Sequence, residues 1–225
     1  MPTLVIGNKC YSSWSLRPWL LLRQLGKDFD EVIIPLDTPQ TRAEMLKYSE
    51  TARVPVLKDG DITVWDSIAI MEYAADAWQL PVWPAKQASR AMARAVSAEM
   101  HSGFTGLRSA CPMNLGKRYA RKDRGAAVAA DVARIESIFR TARQAHQAEG
   151  PFLFGQFSAA DAMFAPVVTR LDTYNIPVSD DTRQYMDTIL SLPAFKEWLA
   201  AGLKETWIVP SDEVDEEPTE ILRKL

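Results

Sequence analysis

The chain has 225 residues, of which 47% are hydrophobic and 24% charged, with a formal net charge of -3. That length allows one or two domains around a sizeable core, and the charge argues against a dedicated nucleic-acid binder, which carries a strong basic patch. No apolar run approaches the roughly 18 residues that cross a bilayer, so no membrane partner is expected.

The opening MPTLVIGNK has no basic leader, no long apolar segment and no cleavage-like site, and so does not read as a secretory signal. Cys10 and Cys111 are far apart, which argues against a disulfide framework and fits a reducing cytoplasm. With His101 and His146 as the histidines and no CxxC or HExxH, no metal site is expected.

Residues 3–8 form a short apolar strand candidate. SLRPWLLLRQLG, 15–26, predicts a helix that ends at a glycine, with Ser15 as its cap and Pro18 in its first turn. FDEVIIPL, 29–36, is a second strand, and TPQTRAEMLKYS, 38–49, a short helix behind a Thr cap. In VPVLKDGDITVW, 54–65, two β-rich runs flank Asp59-Gly60, a hairpin signal. DSIAIMEYAADAW then repeats apolar residues at helical spacing behind Asp66 and Ser67. The order β-α-β-α-β-β-α predicts a four-stranded mixed sheet covered by helices.

QLPVWPAKQ, 79–87, interrupts the pattern with two prolines, and the linker is placed at 81–87, between a domain at 1–80 and one at 88–225. Beyond it no run reads as sheet. Met92, Val96, Met100, Phe104 and Leu107 form one helical stripe, and Val128, Val132, Ile135, Phe139 and Ala142 another. Two long antiparallel helices packed along those faces are predicted. The basic run GKRYARKDR between them reads as solvated surface. FSAADAMFAPVVTRLDTY predicts a core helix with Ser158 and Asp161 as a capping box, Phe157 as a staple and a bend at Pro166. Helices follow at 181–191 and 193–201, and the tail EVDEEPTEILRKL is expected to pack loosely.

Three polar clusters stand at element ends. In CYSSWSLRP, a serine hydroxyl at a strand-to-helix turn can hydrogen-bond a thiolate while the helix start adds positive potential. The same serines also suit a turn and a cap, Trp14 a ligand wall or a core anchor, and Cys10 a small core residue. Neither a GxSxG elbow nor a histidine close in sequence supports a hydrolase triad. In ARVPVL, a cis bond before Pro55 would turn the backbone of Val54 outward to pair with an extended peptide; an ordinary strand entry is the alternative. Asp66-Ser67 can cradle a carboxylate and accept from an ammonium group, or simply cap a helix. Together the clusters suit a small peptide with a free amine, a carboxylate and a thiol.

Over essentially its whole length the chain resembles the cytosolic glutathione transferases, through YSSWSLRPWLLL, ARVPVL, WDSIAIMEYAAD and FSAADAMFAPVV in that order. The resemblance is to serine-type, zeta-like bacterial members, although SSW stands here where zeta-like enzymes carry SSC. It implies an α/β plus all-α fold: a thioredoxin-like N-terminal domain followed by a helical-bundle C-terminal domain that supplies electrophile-site walls. It implies glutathione as co-substrate, Ser12 as the catalytic serine with Ser13 as runner-up, and Trp14, Arg53, Val54, Pro55, Asp66 and Ser67 at the glutathione site. Arg53 would stand near the glycyl end.

The implied reaction is attack of the glutathione thiolate on a small hydrophobic electrophile, in a pocket with candidates Met100, His101, Phe104 and Arg108. A homodimer is implied as well. Related isomerase, lyase or peroxidase chemistry and a non-catalytic binding or scaffold module are the alternatives, and a redox enzyme would want a CxxC. Asp161 is assigned to capping.

Overall fold

In a computed structural model that describes residues 1–223, side-chain alternation in the first strand sets the frame. Strand β1 (Thr3–Ile6) pairs parallel with β2 (Asp30–Ile33) and antiparallel with β3 (Val56–Asp59), which pairs antiparallel with β4 (Ile62–Val64). The sheet order is β2-β1-β3-β4. With a period of two, Leu4, Ile6 and Leu57 join the large core, while Val5, Val56 and Ile34 pack with Met45 on the other face. The hairpin loop is Gly60-Asp61, one residue later than the Asp59-Gly60 signal, and Gly60 has the positive φ that such a turn requires.

Helix α1 (Ser13–Gln24) lies under the sheet, α2 (Thr41–Leu46) covers the opposite face, and α3 (Ser67–Ala77) packs beside α1. This is the predicted thioredoxin-like unit. Its first helix starts two residues earlier than the sequence suggested. Ser12, not Ser15, is the cap and accepts from Ser15 N–H, so Pro18 lies beyond the first turn. Ser15 instead accepts the Gly7 N–H at 3.0 Å and ties the strand end to the helix.

The second unit comprises α4 (Gln87–Ser102), α5 (Thr105–Ala110), α6 (Ala126–His146), α7 (Ala159–Thr173), α8 (Asp180–Ser191) and α9 (Pro193–Gly202). Helix α7 is buried along nearly its whole length, as expected of a central helix, with Asp172 as its partly exposed residue. It packs against both α1 and α4. Its capping box is present: Asp161 accepts from Ser158 N–H and Oγ, from Leu153 N–H and from Tyr185 Oη. The helix runs on through Pro166, and the Phe157 ring meets Phe152 edge-on.

Four expectations change. The first apolar stripe is split, because α4 stops at Gly103 and Phe104 adopts φ 56° before α5 begins. The two stripes therefore do not line one pair of long helices: α4 packs on α7, and α6 on α5 and α8. The supposedly solvated basic run contributes a strand, β5 (Lys117–Tyr119), antiparallel to β6 (Pro218–Ile221) in the tail. That tail is not loose, since Glu216 pairs with Arg124 and Lys122, and Glu213 with Lys117. Residues 224–225 of the expected tail lie outside the described residues.

These contacts fix the loop after β1. Glu205 accepts from the N–H groups of Lys9 and Cys10 at 2.7 and 3.1 Å, Trp198 donates to Lys9 C=O, and Leu115 N–H donates to Cys10 C=O. Gly202 makes this possible: a Cβ there would meet Cys10 N at 3.0 Å. Tyr11 Oη donates to Glu213 at 2.6 Å and accepts from Arg223 at 2.9 Å. Loop, second unit and tail are thus one hydrogen-bonded assembly.

Candidate active site

A cleft of about 1200 Å³ opens between the sheet unit and the helices, bordered by the loop that this assembly holds. Its size exceeds the range common for one small ligand, roughly 300–1,000 Å³, and leaves room for two. Tyr11, Ser12, Ser13 and Trp14 form one wall, Arg53, Val54 and Pro55 another, and Asp66 a third; His101, Arg108, Arg170 and Asp212 face them.

The serine pair sits where α1 begins. Ser12 Oγ donates to Ser15 Oγ at 2.7 Å and accepts from Ser15 N–H at 3.4 Å. The Ser13 hydroxyl has no protein partner among the described residues. A helix N-terminus carries partial positive charge, so this corner suits an anion or a thiolate. Trp14 is packed between cations rather than in the core. The Arg17 guanidinium lies 4.1 Å from its ring centre and that of Arg108 4.8 Å, while the His101 ring meets it edge-on at 5.1 Å.

The Val54–Pro55 bond is cis, as expected for the extended-peptide alternative. Neither N–H nor C=O of Val54 has a backbone partner among the described residues, so both are available to a strand-like ligand. Asp66 caps α3, accepting from Ser67 N–H, and its other oxygen lies 3.3 Å from His101 Nε2. Ser67 is fully buried, and its Oγ has no protein partner among the described residues.

Some sequence candidates stand apart from the cleft. Met100 is fully buried, and Phe104 packs its ring against Phe164 at 6.4 Å; neither lines the cavity. Ser67, next to Asp66, borders the cleft without lining it, while Ala69 of the same turn stands at the wall. Cys10 and Cys111 are buried, and burial pushes both thiols up to about 11. His146 bonds Ala142 C=O and Ser89 Oγ at 2.8 Å each, contacts that hold it away from the cleft.

Sequence reasoning missed Tyr11, Arg170 and Asp212. Asp212 is carried in by a short 3-10 turn of the tail, anchored where Ser211 Oγ donates to Asp37 at 2.6 Å. Burial pushes its carboxyl up to about 6, against the pull of Arg170. No group of metal-ligating side chains is gathered among the described residues. None of the described helices is long and apolar enough to cross a membrane.

Comparison with known proteins gives the same picture. The family model for the glutathione S-transferase N-terminal domain matches residues 11–77, and that for the C-terminal domain matches residues 120–201. A glutathione transferase homologue from Burkholderia gl BGR1, solved with bound glutathione, is 24% identical with a TM-score of 0.68, covering 89% of this chain and 97% of that one. Yeast Ure2p in complex with glutathione is 20% identical with a TM-score of 0.65, covering 88% and 93%. A dichloromethane dehalogenase from Methylorubrum extorquens is 40% identical over 52 residues, which are 22% of this chain and 18% of that protein. With both domain models in order and the fold shared, the chain belongs to the glutathione S-transferase family.

Proposed function

We propose that the protein is a glutathione transferase, with glutathione held along the sheet-unit side of the cleft and a small electrophile on the helical side. One observation carries this reading: a single cleft collects the serine pair at the start of α1, the unpaired backbone of Val54 and the Asp66 cap of α3.

These groups match the parts of glutathione. Val54 N–H and C=O would pair with the cysteinyl residue. Asp66 would accept from the γ-glutamyl ammonium, while Ser67 and the start of α3 would donate to its carboxylate. The orphaned Ser67 Oγ supports that role. Arg53, exposed at the rim, would meet the glycyl carboxylate.

The thiol then falls at the N-terminus of α1. Hydrogen bonds and the helix start favour the thiolate over the thiol, because they stabilise the charged form selectively. Ser12 supplies a bond by turning its hydroxyl hydrogen away from Ser15, and Ser13 has a hydroxyl already free. Attack of the sulfur on an electrophile next to Trp14, His101 and Arg108 needs positioning and charge stabilisation, not a protein nucleophile. The test is direct: bind glutathione by calorimetry and follow thiol addition to 1-chloro-2,4-dinitrobenzene. Binding with no acceleration would favour a scaffold that kept the site.

We extend the reading to domain division at 81–87, to a homodimer and to a reducing, cytoplasmic setting. Exposed Ile62, Trp65 and Met92 offer apolar surface for self-association. The two free, buried cysteines suit a compartment without disulfides. Light scattering that returns a monomer would remove the dimer.

A further inference from the structure

Two arginines line the helical side of the cleft, a third lies buried against Trp14, and none of the three is paired with an acid among the described residues. Arg17, Arg108 and Arg170 come from α1, α5 and α7; burial lowers the pKa of each, Arg170 and Arg108 lower that of Arg17 further, and Arg108 that of Arg170. Among the described residues none of the three has a carboxylate oxygen within salt-bridge distance. Most arginines elsewhere in the chain do: Arg94 with Glu72, Arg134 with Glu99 and Arg124 with Glu216 are examples.

The donors are also incompletely used. Arg170 is 5% exposed; its Nε and Nη1 donate to Cys111 and Pro166 carbonyls, and Nη2 has no protein acceptor among the described residues. Among the described residues Arg108 makes only two long bonds, both from Nη1 at 3.4 Å to His101 and Gly103 carbonyls. Arg17 is fully buried behind Trp14, and none of its three nitrogens has a protein acceptor among the described residues. Buried guanidinium groups without partners are costly, and such sites are built for an anion that completes them.

Two carboxylates lie in the same region. Asp66 acts on Arg17 from a distance and is occupied by Ser67 and His101. Asp212 and Arg170 act on each other without a salt-bridge contact. Neither satisfies the open donors. Nor does the glutathione placement, which uses Arg53, Ser67 and the α3 start on the sheet side.

We propose that the second ligand of this cleft carries a carboxylate, bound by Arg108 and Arg170 with Arg17 behind them, so that the enzyme prefers anionic electrophiles to neutral ones. This rests on the glutathione reading above. It narrows the hydrophobic electrophile expected from resemblance: Trp14 takes the apolar part, and the arginines take the charge.

Two conjugates that differ only beyond sulfur test it, S-(3-carboxypropyl)glutathione and S-butylglutathione, titrated calorimetrically into the full-length protein. The carboxylate conjugate should bind ~10-fold tighter or more, a preference that shrinks with added salt. Arg108→Gln should cut the ratio of the two affinities to ~2-fold, whatever it does to each affinity alone. Arg170→Gln, with thermal unfolding to check its fold, should act in the same direction. Equal affinity for both conjugates, or a preference that survives Arg108→Gln in a folded protein, would overturn the anion site alone. Failure of both conjugates to bind would overturn the glutathione reading, and the anion site with it.

Discussion

His101 Nε2 lies 3.3 Å from Asp66 Oδ2, so a side chain of α4 in the second unit braces the carboxylate that caps α3 in the first. The carboxylate assigned to the γ-glutamyl ammonium is thereby held by both units. Removing the brace should loosen it without touching the reacting sulfur. His101→Ala is expected to raise KM for glutathione by ~3- to 10-fold with little change in kcat, and Asp66→Ala by more. Steady-state kinetics with glutathione varied check this; an unchanged KM in both variants would remove Asp66 from the site.

The two serines separate by their second roles. Ser12 caps α1, so Ser12→Ala should cost about 1 kcal/mol of stability as well as activity. The Ser13 hydroxyl makes no bond within the described protein, so Ser13→Ala should leave stability nearly unchanged. Loss of one hydrogen bond to a developing anion should lower kcat/KM by ~10- to 100-fold in the variant whose hydroxyl reaches sulfur. Urea unfolding beside conjugation kinetics gives both numbers. If neither variant is slower, the hydroxyls play no part in the chemistry.

Both cysteines should be inert in the folded protein. Each thiol is buried and its pKa pushed up to about 11, mainly by burial, so little thiolate exists near neutrality. A colorimetric thiol reagent at pH ~8 should label neither residue in native protein and both after denaturation. Rapid labelling of Cys10 would contradict its place as a bystander to the cleft.

Asp161 accepts from two backbone N–H groups and two hydroxyls at the start of the central helix. Asp161→Ala would strand those donors in the core, with an expected cost of about 3 to 5 kcal/mol. Chemical denaturation tests this, and a loss below about 1 kcal/mol would show that the box is dispensable.

Asp212 gives a pH dependence of definite sign. Its carboxyl is raised in the folded protein from 3.8 to about 6, chiefly by burial. The folded state therefore binds the proton more readily, and its stability falls as pH rises between those values and is level above them. Asp212→Asn should stabilise the protein above pH ~7 by about 1 kcal/mol, a figure reduced because solvent reaches the carboxyl, and have little effect near pH ~4. Stabilisation confined to acid would reverse the assignment.

What the sequence discloses and what it hides follow from how local each signal is. The sheet unit is legible because period-two strands, a Gly hairpin and helix caps act over a few residues, and the serine, Val54 and Asp66 clusters all stand at such ends. Arg170 was hidden because α7 is buried along nearly its whole length, so no polar face marks the residue turned toward the cleft. Asp212 and the β5–β6 pairing were hidden because they join distant segments, about 100 residues apart for the strands and 174 for the Ser211–Asp37 anchor, with no local pattern to link them. The split of the first stripe was hidden because its apolar period continues through the break, with Gly103 as the main local sign.

On the proposed reading, glutathione bound at the start of α1 is held as the thiolate. Titrating the ultraviolet thiolate absorbance of glutathione on the protein measures it directly. The bound thiol should titrate well below the ~8.5 of a free cysteine thiol, returning toward that value in Ser12→Ala or Ser13→Ala. Bound glutathione that titrates like the free thiol in the wild type would contradict it.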